Sequence, residues 1–288
     1  VTVTDTTDKG AARRQEARER LQRELEKLTQ SDEWRRWLDC RAAFHTYSFH
    51  NTLLIVSQKP HATRCAGFKT WKKLERNVRK GETAIWIWAP MVVKDRDAAD
   101  PDARRMIFRP VPVFDVSQTD GEPLPELERE PISGDSHADY LPTLEAFAQS
   151  IGHPVEYVAN GHAIGELGSC GPDWIKVAAD CPANQRVRVL LHELAHALGV
   201  HYARFPGDDD PERFPRDVAE IMVESAAYVA ASAVGLDTSG ETIGYVAGWA
   251  KGSPARIEAV AHQVDALARK LEGALGLEKR ASAQERSA

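Results

Sequence analysis

The amino-acid sequence predicts an α+β protein of two domains, one over residues 12–120 and one over 137–275. Helical apolar patterns over residues 11–56 give way to strand patterns over 84–116, which is the mixture expected of an α+β domain. Residues 118–136 are rich in Pro, Gly and Glu and poor in apolar periodicity, as a linker would be. Helical and strand patterns then resume from Leu141. The 288 residues suffice for two modest cores, and 42% apolar with 28% charged residues is the balance of a folded soluble protein.

Residues 11–29 read as a charge-laced helix with Leu21, Leu25 and Leu28 along one seam. Ser31 caps a following helix that turns Trp34, Trp37, Leu38 and Phe44 inward, and residues 47–56 form another compact helical stretch. Strands follow at 84–89 and 106–116, joined by the polar residues 94–105 as a loop or hairpin tip. In the second domain, 141–149 is a helix and 155–158 a strand. Residues 173–180 read as a strand with Ile175 and Val177 on one face, whose edge could pair with an extended peptide. Residues 240–249 close over or pack beside the site, and the tail from Leu271 is helical and then polar.

The chemistry centres on His192-Glu193-Leu194-Ala195-His196, an HExxH segment. Residues four apart share a helix face, so both imidazoles reach one metal ion while Glu193 stands beside them to handle a water. Val187, Val189, Leu190, Leu191, Leu194, Ala195, Ala197 and Leu198 make the surroundings apolar, and Gly199 is a plausible C-cap. Buried charge in such a helix calls for a compensating partner.

Catalytic Zn2+ takes three protein ligands and keeps a position for water, so a third ligand is sought downstream among His201, Glu220 and Glu224. His201 follows His196 too closely for the longer HExxHxxGxxH spacing, and Tyr202 occupies the position where that pattern has its last histidine. Glu220 and Glu224 lie one turn apart on a second helix whose apolar side carries Val218, Ile221, Met222, Ala226, Val229 and Ala230. One can bind the metal while the other accepts the outer N–H of a ligand histidine; Glu220 is favoured as ligand and Glu224 as the orienting group. The pattern is that of a gluzincin acting on a peptide bond. Glu193 takes the proton of the water and returns it to the leaving amine. Tyr202, Tyr228 and Tyr245 are candidate oxyanion donors.

Charge is unevenly distributed. The first 110 residues carry about +8 and the remainder about −14, which together give the net −6. Between Lys59 and Lys80, eight basic residues oppose only Glu75, and Phe68, Trp71, Trp86 and Trp88 lie within or just beyond this run. Such a composition suits phosphates held by cations and bases stacked on rings, so single-stranded DNA is the expected partner. The candidate contacts are Lys69, Trp71, Lys72, Lys73, Arg76, Arg79 and Lys80. The alternative is an amphipathic helix over 70–79, with solvated lysines and Trp71 and Leu74 in the core, followed by a strand that buries Trp86 and Trp88. Helix-turn-helix and zinc-finger spacings are absent.

Cys40, Cys65, Cys170 and Cys181 show no CxxC spacing and read as thiols. No apolar run is long enough to span a membrane, and residues 1–8 lack the basic and apolar regions of a signal peptide, so no membrane partner and a cytoplasmic location are expected.

Two portions of the chain resemble the ArdC-type antirestriction family. Trp37, residues 47–55, 67–71, 78–82 and 114–119 are similar to its single-stranded-DNA-binding domain. Residues 191–196 and 219–224 are similar to its zincin-like metallopeptidase domain, itself related to the ImmA/IrrE peptidases. The resemblance implies Zn2+ on His192, His196 and Glu220, Glu193 as general base, and association with incoming mobile-element DNA of a phage or plasmid. Ala219 replaces the Asn that precedes the ligand glutamate in thermolysin-like gluzincins, so substrate anchoring of that kind is not implied. The expected function is therefore a single-stranded-DNA-binding zinc metallopeptidase linked to antirestriction, with a protein such as a transcriptional repressor as substrate. Two alternatives are a DNA-protection factor whose zinc site is structural or inactive, and a repressor-cleaving peptidase whose basic domain binds a protein partner.

Overall fold

The computed structural model describes residues 4–28, 31–44, 47–94, 104–124, 130–159, 167–200, 216–238 and 254–277. Three helices lead the chain: α1 (Thr4–Lys27), α2 (Ser31–Ala43) and α3 (Phe49–Gln58). Strand β1 (Cys65–Ala66), helix α4 (Phe68–Lys73), and strands β2 (Arg76–Val78), β3 (Ile85–Lys94), β4 (Arg104–Asp115), β5 (Thr119–Gly121) and β6 (Glu130–Pro131) follow. Next come helix α5 (Leu141–Ser150), strands β7 (Val155–Val158), β8 (Gly168–Cys170) and β9 (Ile175–Ala178), and helix α6 (Ala183–Ala195), continued by a π-type turn to Val200. Helix α7 (Arg216–Ala233), strand β10 (Leu236–Asp237) and helix α8 (Pro254–Ala274) complete the described elements. The fold is α+β. It divides into two compact units, Val1–Leu28 with Thr46–Pro123, and Thr29–His45 with Leu124–Ala288. Helix α2 thus belongs with the C-terminal half of the chain.

The first unit is organised by the β3–β4 hairpin, paired antiparallel from Ile85–Val113 to Lys94–Arg104, with β1 on the other edge of β4. Ser48 caps α3, which buries Phe49, Leu53, Leu54 and Ile55. Its Asn51 and Gln58 lie two turns apart and reach the outer edge of β3. The Asn51 amide accepts from Trp88 N (2.8 Å) and donates to Trp88 O (2.7 Å). Gln58 does the same for Trp86, at 3.0 Å each way. Side-chain amides therefore occupy the place of a neighbouring strand. Below the hairpin, the buried Asp115 carboxylate accepts from the backbone N–H groups of Thr63, Arg64 and Ser117. Gln118 accepts from Asp115 N and donates to Thr83 O, tying both strands to the β1 connection.

The helical reading of 70–79 holds only as far as Lys73. Glu75 adopts φ 56°, which ends the helix, and Arg76–Val78 leave it to pair antiparallel with β5. Gly121 faces Arg76 across this ladder with φ 148°, and a Cβ there would fall 2.6 Å from Glu75 O. The expected linker at 118–136 is likewise partly ordered into β5 and β6, because β6 finds a parallel partner in β10.

In the second unit, β9 is the central strand of the order β7-β9-β8, parallel to β7 and antiparallel to β8. Both its edges are occupied, so among the described residues the open edges of this sheet are those of β7 and β8, not of the strand expected from residues 173–180. Helix α6 packs on β8 and β9, and α7 packs against α2, α6 and α8. Trp34 of α2 donates its indole N–H to Ser225 Oγ (3.1 Å). Arg41, fully buried, donates to Asp265 (2.5 Å) and to both oxygens of Glu272 (2.9 and 3.0 Å) on α8. No described helix is long and apolar enough to cross a membrane. The four cysteines are free thiols.

Removing the cation strands the Glu272 carboxylate and leaves Asp265 only the part-exposed Arg269. Arg41→Ala is expected to cost about 3–5 kcal/mol, read as a lower denaturation midpoint. The triple replacement Arg41→Met, Asp265→Leu and Glu272→Leu should regain most of that loss.

Candidate metal centre and basic surface

Helix α6 has a nearly continuous apolar surface, with Val187, Val189, Leu190, Leu191, Leu194 and Ala195 all buried. Its polar stripe is Arg188, His192 and His196, spaced one turn apart, with the buried Glu193 alongside. The Nε2 atoms of His192 and His196 lie 3.0 Å apart, with their rings inclined at 75°. Glu220 Oε2 from α7 lies 3.6 Å from His196 Nε2. Tetrahedral ligands at about 2.1 Å from a zinc ion stand about 3.4 Å from one another, so these spacings suit a shared ion. His192, His196 and Glu220 form a group that could hold a metal ion, each offering a ligand atom within 4.8 Å of the others.

Glu224 occupies a different position. Its Oε1 lies 3.1 Å from His192 Nδ1, the nitrogen on the far side of the ring. Arg188 Nη2 reaches both Glu224 oxygens at 3.2–3.3 Å. Burial works to raise the Glu224 carboxyl, but His192 and Arg188 outweigh it and hold the group below the usual carboxylate range. Burial likewise works to lower His192, and Glu224 reverses it to a net rise. For Glu193 burial prevails and pushes its carboxyl up to about 7, with His192 and Arg188 opposing the rise and Glu220 and Glu224 adding to it. A cation at the site would act in the opposite direction.

Arg188 was not among the residues singled out from sequence, although it stands four before His192 on the same stripe. Gly168 was also missed. A Cβ on Gly168 would meet Val189 Cγ1 at 2.4 Å and Glu193 Oε1 at 2.7 Å, so the bare backbone lets β8 lie directly against the glutamate. Tyr228 does not join the centre: its hydroxyl donates to Asp39 of α2, and the Arg35 guanidinium sits 4.3 Å from its ring centroid. His201, Tyr202, Tyr245 and residues 240–249 lie outside the described residues.

The basic run divides by burial. Lys69, Lys72, Lys73 and Lys80 are exposed. Trp71 is only 2% exposed and donates its indole N–H to Phe114 O at 2.8 Å, so it is a core ring that cannot stack a base. Arg76 is buried, and its guanidinium donates to the carbonyls of Thr119, Gly121 and Glu122 and to the Thr119 hydroxyl, so four of its five N–H groups are spent inside the fold. Arg79 is exposed but engaged by Glu82, Asp120 and Ser117 O. Leu74 is 41% exposed, unlike the core residue that the amphipathic alternative requires; Trp86 and Trp88 are half-buried.

Residues 11–116 match the family described as the N-terminal domain of anti-restriction factor ArdC. Over these residues the chain is similar to that domain. The matched segment ends before the metal-site residues. An uncharacterized protein of Bacillus anthracis is 28% identical over 251 residues, which are 73% of this chain and 42% of that protein. The chain thus spans about two fifths of that relative's length. The metal-free crystal structure of the antirestriction protein ArdC from plasmid R388 is 18% identical, with 82% of this chain and 85% of that chain covered and a TM-score of 0.45. Its Mn(II)-bound form gives 18%, 79%, 83% and 0.48 for the same measures.

Gly168→Ala is expected to destabilise the protein by about 1–3 kcal/mol through overpacking between β8 and α6. The expected readout is a lower thermal midpoint; an unchanged midpoint would show that Val189 and Glu193 yield without cost.

Proposed function

We propose that this ArdC-like protein is a DNA-associated zinc metallopeptidase whose N-terminal domain binds single-stranded DNA, in the service of antirestriction or mobile-element transfer. The observation that carries the peptidase reading is the convergence of the His192 and His196 Nε2 atoms with the Glu220 carboxylate, beside the buried Glu193. Two imidazoles and one carboxylate are the donor set of a catalytic zinc site, which leaves a coordination position for water. When bound, the ion supplies a water of lowered pKa and polarises the scissile carbonyl.

The chain's own groups divide the remaining work. Glu193 receives the water proton and delivers it to the leaving amine, a role suited to a buried carboxylate beside the metal ligands. Glu224, held by Arg188, fixes the ring of His192 from its outer nitrogen, so that Nε2 stays aimed at the ion. Strand β8 has β9 on one side and no other partner strand among the described residues. An extended peptide added to its open edge would pass Gly168 and therefore Glu193. A repressor with an exposed extended segment is the proposed class of substrate. For the N-terminal domain, the family match and the exposed Lys69, Lys72, Lys73 and Lys80 support contact with DNA.

Glu193→Gln should retain one equivalent of zinc while peptide cleavage falls by about 10²–10⁴-fold, the usual contribution of a general base. Glu220→Ala should lose the metal, measured by elemental analysis after dialysis. Equal zinc content with no cleavage by either the unsubstituted protein or Glu193→Gln would count against the peptidase reading.

A further inference from the structure

The geometry points to a second feature of the N-terminal unit: a basic cleft between α1, the end of α3 and the start of β3 that seats a nucleotide of a single DNA strand. This rests on the single-strand reading above and gives it a location that excludes Trp71 and Arg76. The cleft encloses about 680 Å³. That lies within the roughly 300–1,000 Å³ of typical small-ligand sites.

Four cations line it: Arg13 and Arg20 from α1, Lys59 at the end of α3, and Lys80 in the turn before β3. Two acids share the walls, and both are already engaged. Glu16 pairs with Arg20 at 3.2 Å, and Glu82 pairs with Arg79 at 2.7 Å and accepts from Gln118 at 3.1 Å. No described carboxylate lies within 4 Å of Arg13, Lys59 or Lys80, although, after Gln118 and Arg79, the Lys59 charge also helps hold the Glu82 carboxyl below its usual range. Three such charges in one concavity repel each other and concentrate the field on whatever anion enters.

The remaining wall is aromatic. The Arg13 guanidinium lies 4.2 Å from the Trp86 ring centroid. That contact holds it in place without neutralising its charge. A guanidinium held against an indole keeps N–H groups for a phosphate and offers a planar face on which a base can stack. Trp86 itself is anchored through its backbone by Gln58. The mouth is open at Gly81, where a Cβ would meet nothing within 4 Å. Phosphate-binding cations beside a stacking platform suit an unpaired nucleotide. A duplex offers phosphates but keeps its base faces stacked, and an acidic peptide leaves the platform unused.

The test uses the full chain and a fluorescein-labelled oligothymidylate, with binding followed by anisotropy over a series of salt concentrations. Arg13→Gln combined with Lys59→Gln should weaken binding by about 10-fold and flatten the log–log salt slope by about 1.4, two phosphate contacts at about 0.7 each. Arg13→Lys with Lys59→Arg keeps both charges and should restore the slope while recovering affinity only in part, because lysine does not present a planar face to a base. Thermal melts accompany each variant, and the charge-retaining pair separates lost binding from lost folding. Unchanged affinity and slope in the Gln pair would overturn the cleft while leaving single-strand binding intact. Failure of the unsubstituted protein to bind at low salt would overturn both. Equal competition by a duplex of the same length or by oligoglutamate would also overturn the assignment.

Discussion

A helix buried on nearly every side keeps charges only where something compensates them, and α7 meets that constraint with two glutamates. From Val218 to Ala231 every position is buried except Glu220 and Glu224. They stand one turn apart, as do His192 and His196 on α6, so the two pairs can meet face to face. Glu220 lies against His196 and Glu224 against His192, the reversed order expected of helices running in opposite senses. The matched spacing lets two rigid helices bring four polar groups together without any loop adjusting to fit.

The other faces of α7 hold it in that position. Trp34 reaches Ser225, and Asp39 takes the hydroxyl of Tyr228. Arg41 of the same helix α2 is locked to α8 through Asp265 and Glu272. Helix α2, early in the sequence, therefore braces a centre whose residues lie more than a hundred positions later. Such support is what a metal or catalytic site requires, since ligands must be held more tightly than their own rotamers hold them.

The centre was legible in the sequence because helical spacing converts directly into spatial neighbourhood: HExxH and the glutamates at 220 and 224 needed only the period of an α-helix. Arg188 obeyed the same period and was overlooked because it matches no ligand type. The basic surface was harder to read, because composition records charges without their direction. Trp71 and Arg76 share the character of their neighbours, yet a turn at Glu75 and a short ladder with β5 turn both into the interior. The contribution of α2 to the second unit was hidden for a related reason. Its inward tryptophans announce that it packs, but a contiguous reading of the chain cannot say against which partner. Strand β9 was recognised as a strand, while the identity of the open edge depended on pairings between segments distant in sequence.

The clasp of Asn51 and Gln58 on β3 has a consequence for how the chain is made. A long two-stranded hairpin with an open margin is a template for any other extended segment, whether from the same chain or from a neighbour. Here two amides from a preceding helix cover that margin at Trp86 and Trp88, and Pro90, two residues on, has no N–H to donate. The protection exists only after α3 has docked, so the order of assembly matters as much as the final contacts. A chain in which the hairpin zips before α3 arrives would pass through a sticky intermediate. Since α3 precedes β3 in the sequence, synthesis from the N-terminus makes the guard before the edge it must cover.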